Sequence, residues 1–331
     1  MPIMMYRDAL RRALYEEMKA DPRVFVLGED IGLYGGAYAV TKGLLEEFGP
    51  DRIRDTPMSE AAIVGAAIGA AMIGGRPVAE IMYVDFMTLT MDQIVNQAAK
   101  IHFMFGGQIK VPCVIRTQQG TGRGAGAQHS QSLESWFIHT PGLKVVAPST
   151  PADAYGLLRA SIQDDNPVIF LEHKGLYAVK DDVPEDPFVT PLGVADVKRT
   201  GSDVTLISYS RTMQLALEVA TQLEQRDISV EVIDLRTLQP LDIDTVLRSV
   251  EKTRRAVVLH EAVMTGGLGA EVSARITEAL FHRLLSPVRR VAAADVPLPA
   301  NVALEKYVVP NADQVIRAIE ETLAVKQQIA R

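Results

Sequence analysis

Glu60 is the carboxylate best placed for chemistry. It ends the run Asp55-Thr-Pro-Met-Ser-Glu60 and opens fifteen residues, Ala61 to Gly75, that carry no charge and almost no bulk. An acid in the first turn of a helix is ordinary in itself, because the helix dipole favours it there. The next strand adds to its interest: it sets Met82 and Phe86, apolar and sterically generous, at and just beyond its C-terminal end, where parallel sheets receive ligands. The plain alternative is that both are core residues.

The second candidate is His129, in Ala127-Gln-His-Ser-Gln-Ser132, polar residues between a glycine-rich loop and the apolar Trp136-Phe137. A histidine on a loop after a parallel strand lies where α/β folds place active sites and is an acid–base candidate, with a loop histidine that merely caps or hydrogen-bonds as the alternative. Of the other five histidines, His102 reads as a packed or half-exposed helix residue and His260 as a satisfied strand-end residue. No His-Glu-x-x-His pair and no Gly-x4-Gly-Lys-Ser/Thr loop occur, which excludes zinc-protease and P-loop chemistry. The single cysteine, Cys113, lies in the apolar Val111-Pro-Cys-Val-Ile115 and reads as a buried structural thiol in a reducing compartment. Two glycine clusters, Gly122-Arg-Gly-Ala-Gly126 and Gly267-Leu-Gly269, lack the helix and distal acid of a dinucleotide fingerprint, and read as turn and close-approach glycines.

The elements that must position these residues alternate. Helix Tyr6 to Lys19 precedes strand Val24 to Leu27, and a glycine-rich loop follows at Gly32 to Gly36. The stretch after Glu60 is predicted to be a fully buried helix, with Thr56 as N-cap and Pro57 as first helical residue. Strand Pro77 to Tyr83, helix Thr88 to Phe105, strand Val111 to Arg116, strand Leu143 to Ala147, helix Ala152 to Asp164 and strand Val168 to Glu172 follow. Residues 1–175 thus read as one parallel-sheet α/β domain with both faces covered, and residues 176–200, acidic and proline-broken, as a linker. Residues 201–331 form a second such domain, with strands near Val204, Val230, Ala256 and Val288 and helices Thr212 to Gln225, Asp244 to Val250, Ala270 to Phe281 and Ala312 to Val325.

A chain of 331 residues supports two cores, and 47% hydrophobic with 23% charged residues is globular composition. With a net charge of −7 and its basic pairs scattered among acids, it fits neither nucleic acid nor an anionic membrane as partner. The N-terminus is neither a secretory signal nor a transit sequence, so the cytoplasm is expected, or an organelle matrix if a leader has been removed.

Five segments resemble one family: Asp55-Thr-Pro-Met-Ser-Glu60, Asp92-Gln-Ile-Val-Asn-Gln-Ala-Ala-Lys100, Gln128-His-Ser-Gln-Ser132, His139-Thr-Pro-Gly-Leu-Lys-Val-Val146 and Asp234-Leu-Arg-Thr-Leu-Gln-Pro-Leu-Asp242. They closely resemble the beta subunit of the thiamine-diphosphate-dependent, decarboxylating component of 2-oxo acid dehydrogenase complexes, along the whole chain and in order. The resemblance implies a pyrimidine-binding domain followed by a transketolase-like C-terminal domain, in an assembly of two alpha and two beta chains with thiamine diphosphate across the alpha–beta interface. By motif position, Glu60 corresponds to the glutamate that hydrogen-bonds N1′ of the aminopyrimidine. Met82 and Phe86 correspond to residues packing around that ring, and His129 to the active-site histidine.

The resemblance further implies a potassium ion on a loop represented here by Cys113, Ser161, Ile162, Asp164 and Asn166. The family binds the diphosphate and Mg²⁺ through a Gly-Asp-Gly motif, which this sequence does not contain; those groups are expected from the alpha chain. The implied reaction is decarboxylation of a 2-oxo acid with acyl transfer to a lipoyl group on an acyltransferase core. Pyruvate is the leading substrate, with branched-chain 2-oxo acids or acetoin as alternatives. A mainly scaffolding subunit that docks the acyltransferase core, and a dinucleotide oxidoreductase, are the competing readings.

Overall fold

The computed structural model describes residues 2–325. In chain order the first elements are β1 (Ile3–Met5), α1 (Tyr6–Ala20), β2 (Val24–Gly28), α2 (Leu44–Phe48), β3 (Ile53–Asp55), α3 (Glu60–Met72) and β4 (Arg76–Ile81). A 3-10 segment (Val84–Thr90), a π-helical segment (Asp92–Ala98) and α4 (Ala99–Met104) lead to β5 (Val114–Gln119), α5 (Glu134–Ile138), β6 (Lys144–Val146), α6 (Pro151–Gln163), β7 (Val168–His173) and β8 (Lys180–Asp182). Then come β9 (Asp196–Arg199), β10 (Val204–Ser208), α7 (Thr212–Glu224), β11 (Val230–Asp234), β12 (Thr237–Gln239), α8 (Ile243–Thr253), β13 (Ala256–Val263), α9 (Leu268–Leu280), β14 (Arg289–Ala293), α10 (Val302–Val308) and α11 (Ala312–Ala324).

The chain forms two compact units. One comprises the residues up to Gly120, Trp136–Leu192 and Leu238–Pro240; the other comprises Thr121–Ser135, Gly193–Thr237 and the chain from Leu241. The first unit holds a seven-stranded sheet in the order β12-β6-β7-β5-β4-β2-β3. Its apolar strand residues stand in parallel register, Val26 beside Ile53 and Val78, and Val114 beside Val78 and Val168. Leu10 and Leu14 of α1 and Tyr155 and Leu158 of α6 seal one face, while α3 lies against β4. The second unit holds a five-stranded sheet, β14-β13-β10-β11-β9. Val204, Leu206, Val232 and Val257 pack there against Val219 and Leu223 of α7 and Ile319 of α11.

The α/β architecture with two parallel-dominated sheets is as expected, with local differences. β9 runs antiparallel to β11, and β1 pairs antiparallel with β8, so residues 176–200 carry two short edge strands. Such strands are charged and at most half-buried, with no apolar alternation to betray them. The helix after Glu60 starts three residues later than Pro57. The Thr56 N–H donates to the Gly28 carbonyl at 3.0 Å and prolongs the β2–β3 pairing, so Thr56 serves the strand and Ser59 takes the N-cap position.

Nor is α3 buried all round. Ile63, Val64, Ala67, Ile68 and Ala71 face the core, whereas Ala62, Ala66 and Gly69 are exposed, because this chain supplies cover for one side only. Helix Thr88 to Phe105 is three segments of different pitch. The strand predicted to end at Arg116 continues to Gln119: Thr117, Gln118 and Gln119 are polar yet buried, a pattern that hydrophobicity misses. No helix among the described residues is long and apolar enough to cross a membrane.

Candidate functional site at the carboxyl edge of the seven-stranded sheet

Strand β3 delivers the chain to the carboxyl edge of the sheet, and α3 starts there with Glu60 as its first helical residue. The Ile63 N–H already bonds the Ser59 carbonyl at 2.9 Å, which leaves the Glu60 side chain half-buried at the positive end of the helix dipole. A second acid, Glu29, follows β2 at the same edge. Burial first, and then the charges of Glu60 and Asp30, hold its carboxyl above the ordinary value. A neighbouring negative charge disfavours ionisation, so Glu29 keeps its proton more readily than an isolated acid. Sequence reasoning missed Glu29; the readable signal was an acid directly after a buried strand.

The loop from Glu29 to Gly43 is tied down by Asp55, whose carboxylate accepts the Gly32 N–H at 2.7 Å. A Cβ on Gly32 would stand 2.4 Å from that carboxylate, so this position requires glycine. On the next strand Met82 is half-buried beyond β4, and the chain turns so that the Phe86 N–H returns to the Tyr83 carbonyl at 2.9 Å. Glu60, Glu29, Met82 and Phe86 thus share one edge of one unit.

Beneath them lies a buried ion triad. Arg116, fully inaccessible, makes a bidentate pair with Glu172 at 2.6 and 3.0 Å and reaches Glu80 at 2.9 Å. Gln118 donates to Glu80 at 3.1 Å and the Tyr177 hydroxyl to Glu172 at 2.6 Å. Desolvation opposes the charge on Arg116, and the two carboxylates outweigh it, so the guanidinium is held above its usual range.

His129 belongs to the second unit, half-buried on the loop that follows β5. That loop is pinned by carboxylates: Glu261 accepts the Thr121 N–H at 2.7 Å, and Glu305 accepts those of Gly122 and Gly124 at 3.1 and 3.4 Å. Gly124 has φ +62°, and a Cβ there would lie 2.6 Å from the Ala300 carbonyl. The residues around His129, Gln128 and Gln131, line a cavity of about 700 Å³ together with Glu261, Val263 and Asp295.

The glycines of the second cluster, Gly267 and Gly269, are close-approach positions. A Cβ on Gly267 or Gly269 would meet the His260 ring at 2.5 or 2.6 Å. His260 is buried, with Nδ1 at 3.1 Å from the Ala262 carbonyl, and burial lowers its pKa to about 4. His102 is exposed at the end of α4, with Nδ1 2.8 Å from the Ile109 carbonyl.

Of the five residues of the expected cation loop, Ile162 and Asp164 give their carbonyls to Arg76. Its Nη1 donates to the Ile162 and Asp164 carbonyls at 2.9 and 3.0 Å, and Nη2 to Asp165 at 2.6 Å. The Cys113 carbonyl accepts the Val168 N–H at 2.9 Å, and the Asp164 carboxylate accepts the Asn166 N–H at 2.9 Å. Each carbonyl keeps a second lone pair, and a set of hard oxygens is the chemistry of a hard cation. The Cys113 thiol is buried and pushed up to about 12 by desolvation, which leaves it inert.

Over residues 3–180 the chain matches the family model of the transketolase pyrimidine-binding domain, and over residues 193–315 that of the transketolase C-terminal domain. It is 46% identical over 319 residues to the mitochondrial pyruvate dehydrogenase E1 component subunit beta-2 of Oryza sativa subsp. japonica, covering 95% of this chain and 85% of that one. To the pyruvate dehydrogenase E1 component subunit beta of Rickettsia felis it is 47% identical over 315 residues, covering 95% and 97%. To the 2-oxoisovalerate dehydrogenase subunit beta of Bacillus subtilis it is 44% identical over 323 residues, covering 97% and 99%. Among solved structures, a split-gene transketolase described as an inactive beta4 tetramer shares the fold with a TM-score of 0.81 at 24% identity, over 98% of this chain and 100% of that one. The chain therefore belongs to the family of E1 beta subunits of 2-oxo acid dehydrogenase complexes, built from a transketolase pyrimidine-binding domain and a transketolase C-terminal domain.

Proposed function

We propose that this chain is the beta half of a thiamine-diphosphate-dependent 2-oxo acid dehydrogenase that acts on pyruvate and works only with an alpha chain, as two alpha and two beta subunits. The observation that carries the reading is Glu60 as first residue of α3, beside Glu29 and level with Met82 and Phe86 at the carboxyl edge of a parallel sheet. This set fits an aminopyrimidine: a carboxyl to share a proton with a ring nitrogen, and two apolar side chains to flank the ring and exclude water. When bound, thiamine diphosphate supplies a thiazolium carbon that attacks a 2-oxo acid and accepts the electrons left behind by carbon dioxide.

The work of this chain is positional and protic. Glu60 holds a proton between its carboxyl and N1′, in a partly desolvated place that strengthens the hydrogen bond and makes the 4′-amino group a better base. Glu29 supports it, since one carboxyl of the pair retains its proton more readily than an isolated acid. His129 would stabilise or protonate reacting groups in the later steps. The diphosphate and Mg²⁺ fall to the alpha chain, in keeping with the lack of a Gly-Asp-Gly motif. The carbonyls of Cys113, Ser161, Ile162, Asp164 and Asn166 would hold a potassium ion. The acyl acceptor is a lipoyl group of the acyltransferase core, and the compartment is the cytoplasm. The relatives' names divide between pyruvate and 2-oxoisovalerate, so a substrate panel is part of the test.

The chain and its alpha partner, co-expressed, should assemble by native mass spectrometry, take up thiamine diphosphate and decarboxylate pyruvate faster than branched-chain 2-oxo acids. Glu60→Ala should assemble equally well and lose the activity. A Glu60→Ala assembly as fast as the parent would leave the chain a scaffold.

A further inference from the structure

Beside the strand end that carries Met82 lies a lysine with no part in the chemistry proposed above. Lys174 follows β7. Its backbone N–H donates to the Gln119 carbonyl at 3.1 Å, which extends the β5–β7 pairing by one step, and the residue is 3% exposed. Its ammonium stands 5.1 Å from the centroid of the Tyr83 ring. Tyr83 meets Tyr38 edge-on at 6.4 Å and 76°, and Tyr38 stacks on Tyr177 at 4.3 Å and 18°. Tyr177 is anchored through Glu172 to Arg116. A continuous line of contacts therefore runs from the rigid ion triad, through three rings, to the residue that joins Met82 to the turn ending at Phe86.

Burying an ammonium is costly, and a prop that needed only bulk would be met by Met or Leu. A cation over an aromatic face is attracted by the ring's quadrupole, most strongly where water is excluded. The same contact fixes the ring's position against the sheet, and Tyr38 belongs to the loop that carries Glu29. We propose that Lys174 is a positioning residue: through Tyr83 it sets where Met82 and Phe86 stand, and through Tyr38 it holds that wall in register with the Glu29 loop, so that the charge of Lys174 governs affinity for the aminopyrimidine. This rests on the reading of Glu60, Met82 and Phe86 as the aminopyrimidine site.

The test uses Lys174→Met, which keeps the bulk and removes the charge, with Lys174→Arg and Tyr38→Leu, each assembled with the alpha chain. Calorimetric titration with thiamine diphosphate should show Lys174→Met binding about tenfold more weakly. Its kcat at saturating cofactor should stay within about twofold and its melting temperature within about 2 °C of the parent. Lys174→Arg should recover most of the affinity, and Tyr38→Leu should weaken it in the same sense. Parent-like affinity in Lys174→Met overturns the proposal, as does a loss of affinity matched by equal losses of kcat and melting temperature, which a merely structural lysine would give. If Lys174→Met does not assemble, Tyr38→Leu is judged by the same criteria. A parent assembly that takes up no thiamine diphosphate overturns the reading of the site instead.

Discussion

Two sets of carboxylates in the seven-stranded sheet differ in how their charge is met. Glu80 and Glu172 lie within the sheet, wholly buried, and every formal charge there has a partner: a guanidinium shared between them, an amide from Gln118 and a hydroxyl from Tyr177. Glu29 and Glu60 lie at the carboxyl edge, only partly buried, and the charge of Glu60 adds to the burden on Glu29. The first set spends its electrostatics on holding strands β4, β5 and β7 in one arrangement. The second leaves its electrostatics unspent, which is what a site that must share a proton with a ligand requires. Glu29 and Glu60 should therefore respond to mutation through activity, and Glu80 and Glu172 through stability.

The widest separation is expected at Glu60. Glu60→Gln removes the titratable proton and keeps the shape. In the assembly with the alpha chain it should lower kcat by roughly 10²- to 10⁴-fold, the usual range for a lost acid–base group. Thermal unfolding of the same variant should move by less than about 1 kcal/mol, the size of a helix-dipole contribution. Arg116→Met should do the reverse. It strands two buried carboxylates, a loss of roughly 3–5 kcal/mol, visible as a large drop in melting temperature before any assay of activity. A stable Arg116→Met protein would mean that the triad is not where this sheet's stability lies. Asp55→Asn probes the ground between, because Asp55 sits at the same carboxyl edge as Glu29 and Glu60 but serves a loop. Losing its charged bond to the Gly32 N–H should cost about 1 kcal/mol and weaken cofactor binding with little change in kcat, read by the same titration.

Much of this was legible in the sequence, and the reasons are local. The apolar runs of β2, β4, β7, β10 and β11 and the amphipathic α1, α7 and α11 announce themselves by period and composition. Glu60, Met82, Phe86 and His129 stand out as candidates because Glu60 opens such a run and the others lie beyond the end of a strand. Arg116, Gln118 and Gln119 do not, because a buried polar residue looks like a surface one until its partner is known, and Glu172 lies 56 residues from Arg116. Thr-Pro is a helix-start signal and points to Thr56 as a cap; in the fold its N–H bonds to Gly28, a partner that only parallel pairing brings near. Lys174 and Tyr38 were silent for the same reason, since their contact through Tyr83 spans three separate chain segments.

The smallest expected effect is the most direct test of the edge pair, and it is read in pH. Burial, followed by the charges of Glu60 and Asp30, raises the pKa of Glu29 in the folded protein. A group whose folded pKa lies above its unfolded value contributes stability that is fully present below the unfolded pKa and is lost as pH rises through the folded one. The parent protein therefore gives up stability at Glu29 as pH climbs from the ordinary glutamate value through the raised one. Glu29→Gln does not titrate and escapes that loss. The difference in melting temperature, variant minus parent, should become steadily more positive as pH rises across this window and level off above it. Pairs measured at several pH values isolate Glu29 from every other titrating group, because the rest of the chain is common to both. A difference independent of pH would show that Glu29 ionises in the fold as it does in the unfolded chain. The edge would then hold two independent acids, and the contrast with the Arg116 triad would reduce to a difference in exposure.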